Sequence, residues 1–356
     1  LEDFNDKNCL YPPHKYLQNA VFKERYIKPN ISWRASYLNG KRGISRVFRI
    51  PFASLMKKFF LKSYFEKRVL QGKVDLPYLE LVLTTKCTMR CESCNNLMQY
   101  FEPQKQYAST LQGLKESLEA LFKRVDSIQR LRIIGGEPLL FKELPELVEY
   151  LEQQDKIYTF SLVSNGTVDF SDDLLKALKH SSKFRKVTIS DYSLSPNLKI
   201  KREQESILRN LKLYKIPFSL DSSGENAKWT DPGKIYKRNR SKEKIIENFH
   251  FCKMPCVSLM SAEGIRNEEG KLKENAHALA PKGAIFVCPV ASSLSRLKGL
   301  EEFEGDFINL EDEKQRFFDF YAQDFFKACD YCHDWSKPRK QIPIAIQSDT
   351  IFKLEP

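Results

Sequence analysis

From Tyr78 to about Asp221 short β-branched or leucine-rich runs alternate with longer segments whose apolar positions recur at helical spacing. The runs Leu79–Thr84, Leu131–Ile134, Tyr158–Val163, Lys186–Ser190 and Pro217–Leu220 predict strands. Leu111–Val125, Glu143–Gln153, Asp172–His180 and Glu203–Tyr214 predict the intervening helices. Such alternation demands a parallel sheet, open or curled into a barrel, with its helices outside. In sheets of this kind ligands gather beyond the carboxyl ends of the strands. Three parts are expected: a helical and irregular extension over residues 1–76, a βα core over 77–225, and a linker with a cysteine-bearing module over 226–356. In the extension Phe52–Leu70 predicts an amphipathic helix packed over the core. Its lysines, with Arg46 and Arg49 upstream, supply a second reading as a membrane-surface helix.

The net charge of +12, from 58 lysines and arginines against 46 acids, calls for an anionic partner or a basic solvated surface. Nucleic acid is disfavoured, because the basic residues lack the aromatic interleaving of single-strand binding modules. Nine cysteines in a chain of 356 residues, with no secretory leader legible, point to a reducing cytoplasm rather than a disulfide scaffold. No apolar run reaches the length of a membrane span.

Chemistry concentrates after the first strand, where Cys87, Cys91 and Cys94 form a C-x3-C-x2-C array. Three thiolates on one loop hold three irons of a four-iron cluster and leave the fourth open to a reactant. The second strand runs into Gly135-Gly136-Glu137-Pro138. With both motifs in place, the chain resembles the radical S-adenosylmethionine (SAM) enzymes. The resemblance implies a partial (β/α)6 TIM-like barrel, an α/β fold, with a small C-terminal iron–sulfur module and an N-terminal helical extension. It also implies a 4Fe-4S cluster on Cys87, Cys91 and Cys94 whose open iron chelates SAM, the ligand's ammonium being met by Gly135, Gly136, Glu137 and Pro138. Ser164 and Asn165 after the third strand, and Ser190 and Asp191 after the fourth, match the family's ribose and adenine contacts. The family often has an aromatic residue before the last cysteine; this chain has Ser93, which leaves the iron ligands intact.

Five cysteines follow the core. They resemble the accessory-cluster module called SPASM, or Twitch when truncated. Cys256, Cys288, Cys329 and Cys332 suffice for one auxiliary 4Fe-4S cluster, with Val257–Met260 and the Gly283 segment as a hairpin between ligands. A four-cysteine zinc site has similar spacing. Cys252 is then left over, a spare thiol or a hydrogen-atom donor to a substrate radical; either it or Cys256 is the ligand, and Cys256 is ranked first.

The family's chemistry, driven by a flavodoxin-like or ferredoxin-like electron donor, is abstraction of hydrogen from an unactivated carbon. The leading expectation is oxidation or epimerisation at a carbinol carbon of an anionic sugar or nucleotide-linked sugar. Lys234, Lys237, Arg238 and Arg240 are candidate phosphate ligands, and Asp191, Tyr192, Asp221 and Glu225 candidate substrate neighbours. A peptide maturase is the alternative enzyme; an iron–sulfur electron carrier or zinc-supported interaction protein is the non-catalytic one.

Overall fold

The computed structural model describes residues 12–41, 51–200, 202–221, 228–252, 257–265 and 279–354, the side chains of 39–41 and 51–57 excepted. Its main sheet has eight strands. In chain order these are β1 (Leu79–Val82), β2 (Leu131–Ile134), β3 (Phe160–Ser164), β4 (Phe184–Ser190), β5 (Phe218–Asp221), β6 (Ser258–Ser261), β7 (Gly283–Phe286) and β8 (Phe307–Asn309). Across the sheet they lie in the order β8-β7-β6-β1-β2-β3-β4-β5, and the last six of these are mutually parallel. No pairing joins β5 to β8 among the described residues, so the sheet is a partial barrel.

Each parallel step is made by a helix whose apolar stripe covers the sheet. Helix α1 (Pro51–Leu70) precedes the sheet; α2 (Leu111–Arg124), α3 (Leu144–Gln153), α4 (Asp172–His180), α5 (Gln204–Leu213) and α6 (Lys242–Phe251) connect the parallel strands; α7 (Pro289–Lys298) and α8 (Lys314–Ala322) follow β7 and β8. In α2, Leu114, Leu118 and Leu121 face inward, and the Thr110 hydroxyl caps its start by accepting from Gly113 N at 3.0 Å. In α4 the Ser171 cap, Asp172 and Asp173 in the first turn, and Lys179 and His180 in the last all favour the helix dipole. All four residues of β1 are buried, as befits a parallel strand covered on both faces.

The hairpin that the sequence assigns to the rear module extends the main sheet. β6 and β7 pair antiparallel, with Met260 opposite Ala284, while β6 also runs parallel to β1, with Leu259 opposite Leu81. Periodicity does not reveal such a pairing, because the two partners lie far apart in sequence. In the extension Phe22 and Tyr26 are buried against Phe318 of α8. Helix α1 buries Phe65 and Val69 and leaves Phe59 and Phe60 exposed; Arg46 and Arg49 lie outside the described residues.

Candidate active site

Four strand ends converge on the cysteine loop. Beyond β1, Thr85 N donates to Tyr107 O at 3.1 Å and Tyr107 N to the Thr85 hydroxyl at 3.0 Å, anchoring the loop root. Cys87, Cys91 and Cys94 then pack as one group with Met89, Tyr192, Trp229 and Ala345. Burial pushes all three thiols up, Cys91 to about 12, and the neighbouring sulfurs add to the effect at Cys87 and Cys91. Three crowded sulfurs, that of Cys91 buried and those of Cys87 and Cys94 half-buried, are stable as thiolates only against a cationic partner. That requirement fits the iron core the motif implies.

The glycines act on the loop itself. Gly136 N donates to Thr84 O at 2.8 Å and Glu137 N to Lys86 O at 2.9 Å, so the turn after β2 is stitched to the cysteine loop. A Cβ at Gly136 would sit 2.3 Å from Lys86 O and 2.8 Å from Cys87 Cβ, and one at Gly135 2.8 Å from Thr84 O. Both positions must therefore be glycine for the two loops to touch.

Glu137 is fully buried, and its carboxylate accepts from Asn165 N at 2.7 Å and Leu139 N at 3.1 Å. Burial pushes its pKa up to about 7. Both oxygens are thus engaged in tying the β2 turn to the β3 turn, rather than facing an outside ammonium. Pro138 opens the short helical turn Pro138–Leu140 beside it. At the end of β3 the Ser164 hydroxyl accepts from Gly166 N at 3.1 Å, and Gly166 holds a positive φ of 74°. The Asn165 amide donates to the Thr88 hydroxyl at 3.0 Å and to Cys87 Sγ at 3.6 Å. At the end of β4, Ser190 bonds the hydroxyl of the half-buried Tyr192, and the Asp191 carboxylate takes Arg202 Nη1 at 3.1 Å and Ser193 N at 3.0 Å. Asp221 is exposed at the end of β5, and Glu225 lies outside the described residues.

The C-terminal segment carries site residues that sequence reasoning misses. Glu92 N donates to Ile346 O and Ser348 N to Arg90 O, both at 2.8 Å, bracketing a bridge between Cys91 and Gln347. Gln347 Nε2 donates to Cys91 Sγ at 3.2 Å, while its Oε1 accepts from Arg90 N at 3.0 Å. Ala345, fully buried, turns the strap with a φ of 48°. No local signal announces this contact.

The rear thiols form a second group. Cys252 ends α6, Cys288 caps α7 by accepting from Ala291 N at 3.4 Å, Cys329 lies within the turn Lys327–Tyr331, and Cys332 follows it. All four line one cavity with Phe249, Val287, Val290 and Trp335. Burial pushes Cys288, Cys329 and Cys332 up, Cys332 to about 12, and the neighbouring sulfurs add to the effect. Cys256 lies outside the described residues, so Cys252 is the thiol seen beside the other three. Among the described residues no three His, Cys, Asp or Glu side chains converge as around a single metal ion; the four rear thiols line one cavity instead. Arg238 Nε donates to Cys332 O at 2.7 Å and Arg240 Nη1 to the same oxygen at 3.0 Å. These two arginines thus serve the cysteine loop, where the sequence suggests phosphate ligands.

Residues 81–253 match the family described as the Radical SAM superfamily. Among curated proteins, a GTP 3',8-cyclase of Aquifex aeolicus is 29% identical over 143 residues, covering 40% of this chain and 42% of that protein. One from Helicobacter pylori strain J99 is 31% identical over 200 residues, covering 55% and 58%. The chain therefore spans about half the length of these relatives. Among solved structures, BtrN in complex with AdoMet and 2-DOIA aligns over 78% of this chain and 97% of that one at 13% identity and a TM-score of 0.41. A tagged anSMEcpe with bound AdoMet aligns over 41% and 43% at 23% identity and a TM-score of 0.32.

Proposed function

The chain belongs to the radical SAM superfamily through residues 81–253, and from that premise we propose that it abstracts hydrogen from a carbinol carbon of a nucleotide or nucleotide-linked sugar. The observation that carries this reading is the convergence of the β1 to β4 ends on three clustered thiols joined to a glycine turn. Cys87, Cys91 and Cys94 hold the four-iron cluster, whose chemistry when bound is one-electron cleavage of SAM to methionine and a hydrogen-abstracting 5′-deoxyadenosyl species. Gly135 and Gly136 let the β2 turn close on the cluster loop, and the backbone carbonyls of that turn are the acceptors offered to the ligand's ammonium. Glu137 orients Asn165, whose amide and that of Gln347 direct N–H groups at sulfur. Ser164, Ser190 and Asp191 stand at the following strand ends, where ribose hydroxyls are read. The curated relatives are named for GTP, a nucleotide, and for its 3′ position, a carbinol carbon of ribose. Their name supports the nucleotide part of the reading and leaves the outcome, oxidation, inversion or ring closure, to experiment.

Cys252, Cys288, Cys329 and Cys332 we assign to an auxiliary four-iron cluster. Four thiolates close its ligand set, which suits electron transfer rather than substrate binding. An acidic flavodoxin or ferredoxin is the donor suited to the basic chain. No helix among the described residues is long and apolar enough to cross a membrane.

The test is anaerobic reconstitution followed by assay of 5′-deoxyadenosine with GTP, nucleotide sugars and peptides. Nucleotide-dependent formation, abolished by Cys91→Ala, is the expected result. Stimulation by a peptide alone refutes the substrate class, and formation undiminished in Cys91→Ala refutes the cluster assignment.

A further inference from the structure

Arg25 lies in the N-terminal extension, only 8% exposed, and packs on the ring of Phe249, which lines the rear cavity. Its Nη1 donates to Phe320 O at 2.9 Å and Gln323 O at 2.6 Å. Its Nε and Nη2 are buried and have no hydrogen-bond partner among the described residues. Four rings surround the guanidinium, those of Phe249 and Phe326 at 5.1 Å, Phe320 at 5.5 Å and Tyr321 at 5.6 Å from centroid to Cζ. Phe249 is itself a wall of the cavity that holds the four rear thiols, and Phe326 O accepts from Cys329 N at 2.9 Å.

A buried guanidinium with two idle nitrogens is costly unless an anion shares its low-dielectric surroundings. Burial pulls the Arg25 pKa down to about 10, opposed by Tyr321, Cys329, Asp324 and Cys288. Tyr321 is buried with its own pKa raised, hence neutral, and Asp324 is 40% exposed, so water screens it. That leaves the rear sulfurs as the buried source of negative charge. Arg238 and Arg240 also act on these thiols, binding the Cys332 carbonyl and opposing the rise in the Cys332 pKa, but both are only half-buried, and Arg25 is the buried cation of the three.

We propose that Arg25 is the buried countercharge of the rear thiolate cluster, a positioning residue that raises the cluster's reduction potential through the Phe249 ring. The proposal rests on the auxiliary-cluster assignment above. A four-iron core held by four thiolates is a dianion when oxidised and a trianion after accepting one electron. A fixed buried cation therefore favours the reduced state. The electron passes into the cluster, and no bond to Arg25 forms or breaks.

Full-length protein carrying Cys87→Ala, Cys91→Ala and Cys94→Ala isolates the rear cluster for iron analysis and a potentiometric titration followed by electron paramagnetic resonance. In that background Arg25→Gln, which keeps an amide donor for the Phe320 and Gln323 carbonyls, is expected to make reduction at least about tenfold less favourable, a fall of about 59 mV for one electron. Arg25→Lys should stay closer to the parent. If Arg25→Gln does not fold, Arg25→Met decides, and a potential equal to the parent's overturns the proposal. A loaded cluster whose potential ignores Arg25→Gln overturns the countercharge alone. About four irons per chain in the parent background uphold the assignment beneath it, and no iron there sinks both.

Discussion

At the scale of single residues the front site is built by exclusion as much as by contact. Gly136 works because it has no side chain: the turn it occupies bonds to Thr84 O and Glu137 N to Lys86 O, and a methyl group has only the Lys86 carbonyl to occupy. Gly136→Ala is therefore expected to cost about 2–3 kcal/mol in urea unfolding, the range for overpacking, and to leave the front cluster unloaded while the rear cluster keeps its iron. Unchanged iron content and stability contradict the close approach. Gln347 acts in the other sense, by supplying a donor to Cys91 Sγ. Gln347→Leu removes that N–H and should make the front cluster harder to reduce, with roughly a tenfold or greater loss of activity or cluster retention, as for other groups that orient metal ligands. A front-cluster potential equal to the parent's disposes of that role. Sequence reading reached the first residue and missed the second for one physical reason. A glycine-glycine-glutamate-proline turn is a local pattern, whereas Gln347 meets Cys91 across 256 positions and nothing near it marks the encounter.

At the scale of elements, alternation revealed the βα core because burial imprints a period on each strand and helix. The five strands expected between Leu79 and Leu220 are present, with ends shifted by a few residues. The placement of β6 was not legible. Its apolar run is as compatible with a separate hairpin as with the edge of the barrel, and only the pairing with β1 decides. Glu137 shows a similar limit, since its identity marks a site while the direction of its carboxylate depends on Asn165 from another loop. The short turn Lys327–Tyr331, which presents Cys329, depends on Asp306. That carboxylate accepts from Ala328 N at 2.9 Å, and burial pushes its pKa up to about 6 from an ordinary 3.8. Between those values the folded chain holds a proton that the unfolded chain releases, so stability falls as pH rises through the window, by roughly 2–3 kcal/mol in all. The comparison is thermal unfolding from pH 4 to 7 against Asp306→Asn, whose amide does not titrate. Parallel pH profiles for the two proteins would refute the assignment.

At the scale of the whole molecule the two thiol groups share a wall. Asn95, next to Cys94, lines the rear cavity, and the Ser293 hydroxyl of α7 donates to Asn96 O at 2.7 Å. The auxiliary cluster proposed for this cavity would be suited to exchange electrons with the front of the barrel, and its ligand set would decide which thiol is left for other chemistry. Spacing alone favoured Cys256, because it directly precedes the β6 run. The fold puts Cys252 at the end of α6 on the cavity lined by Cys288, Cys329 and Cys332. If Cys252 is the ligand, then Cys252→Ala lowers the iron content from about eight to about four per chain and removes the rear-cluster signal, whereas Cys256→Ala retains both. The reverse pattern restores Cys256 to the cluster and frees Cys252 as a hydrogen-atom donor. The two substitutions also separate the outcomes at the substrate carbon. A product inverted in the parent and no longer inverted in Cys256→Ala marks that cysteine as the donor, while an oxidised product unaffected by its loss leaves the auxiliary cluster as the acceptor of the second electron.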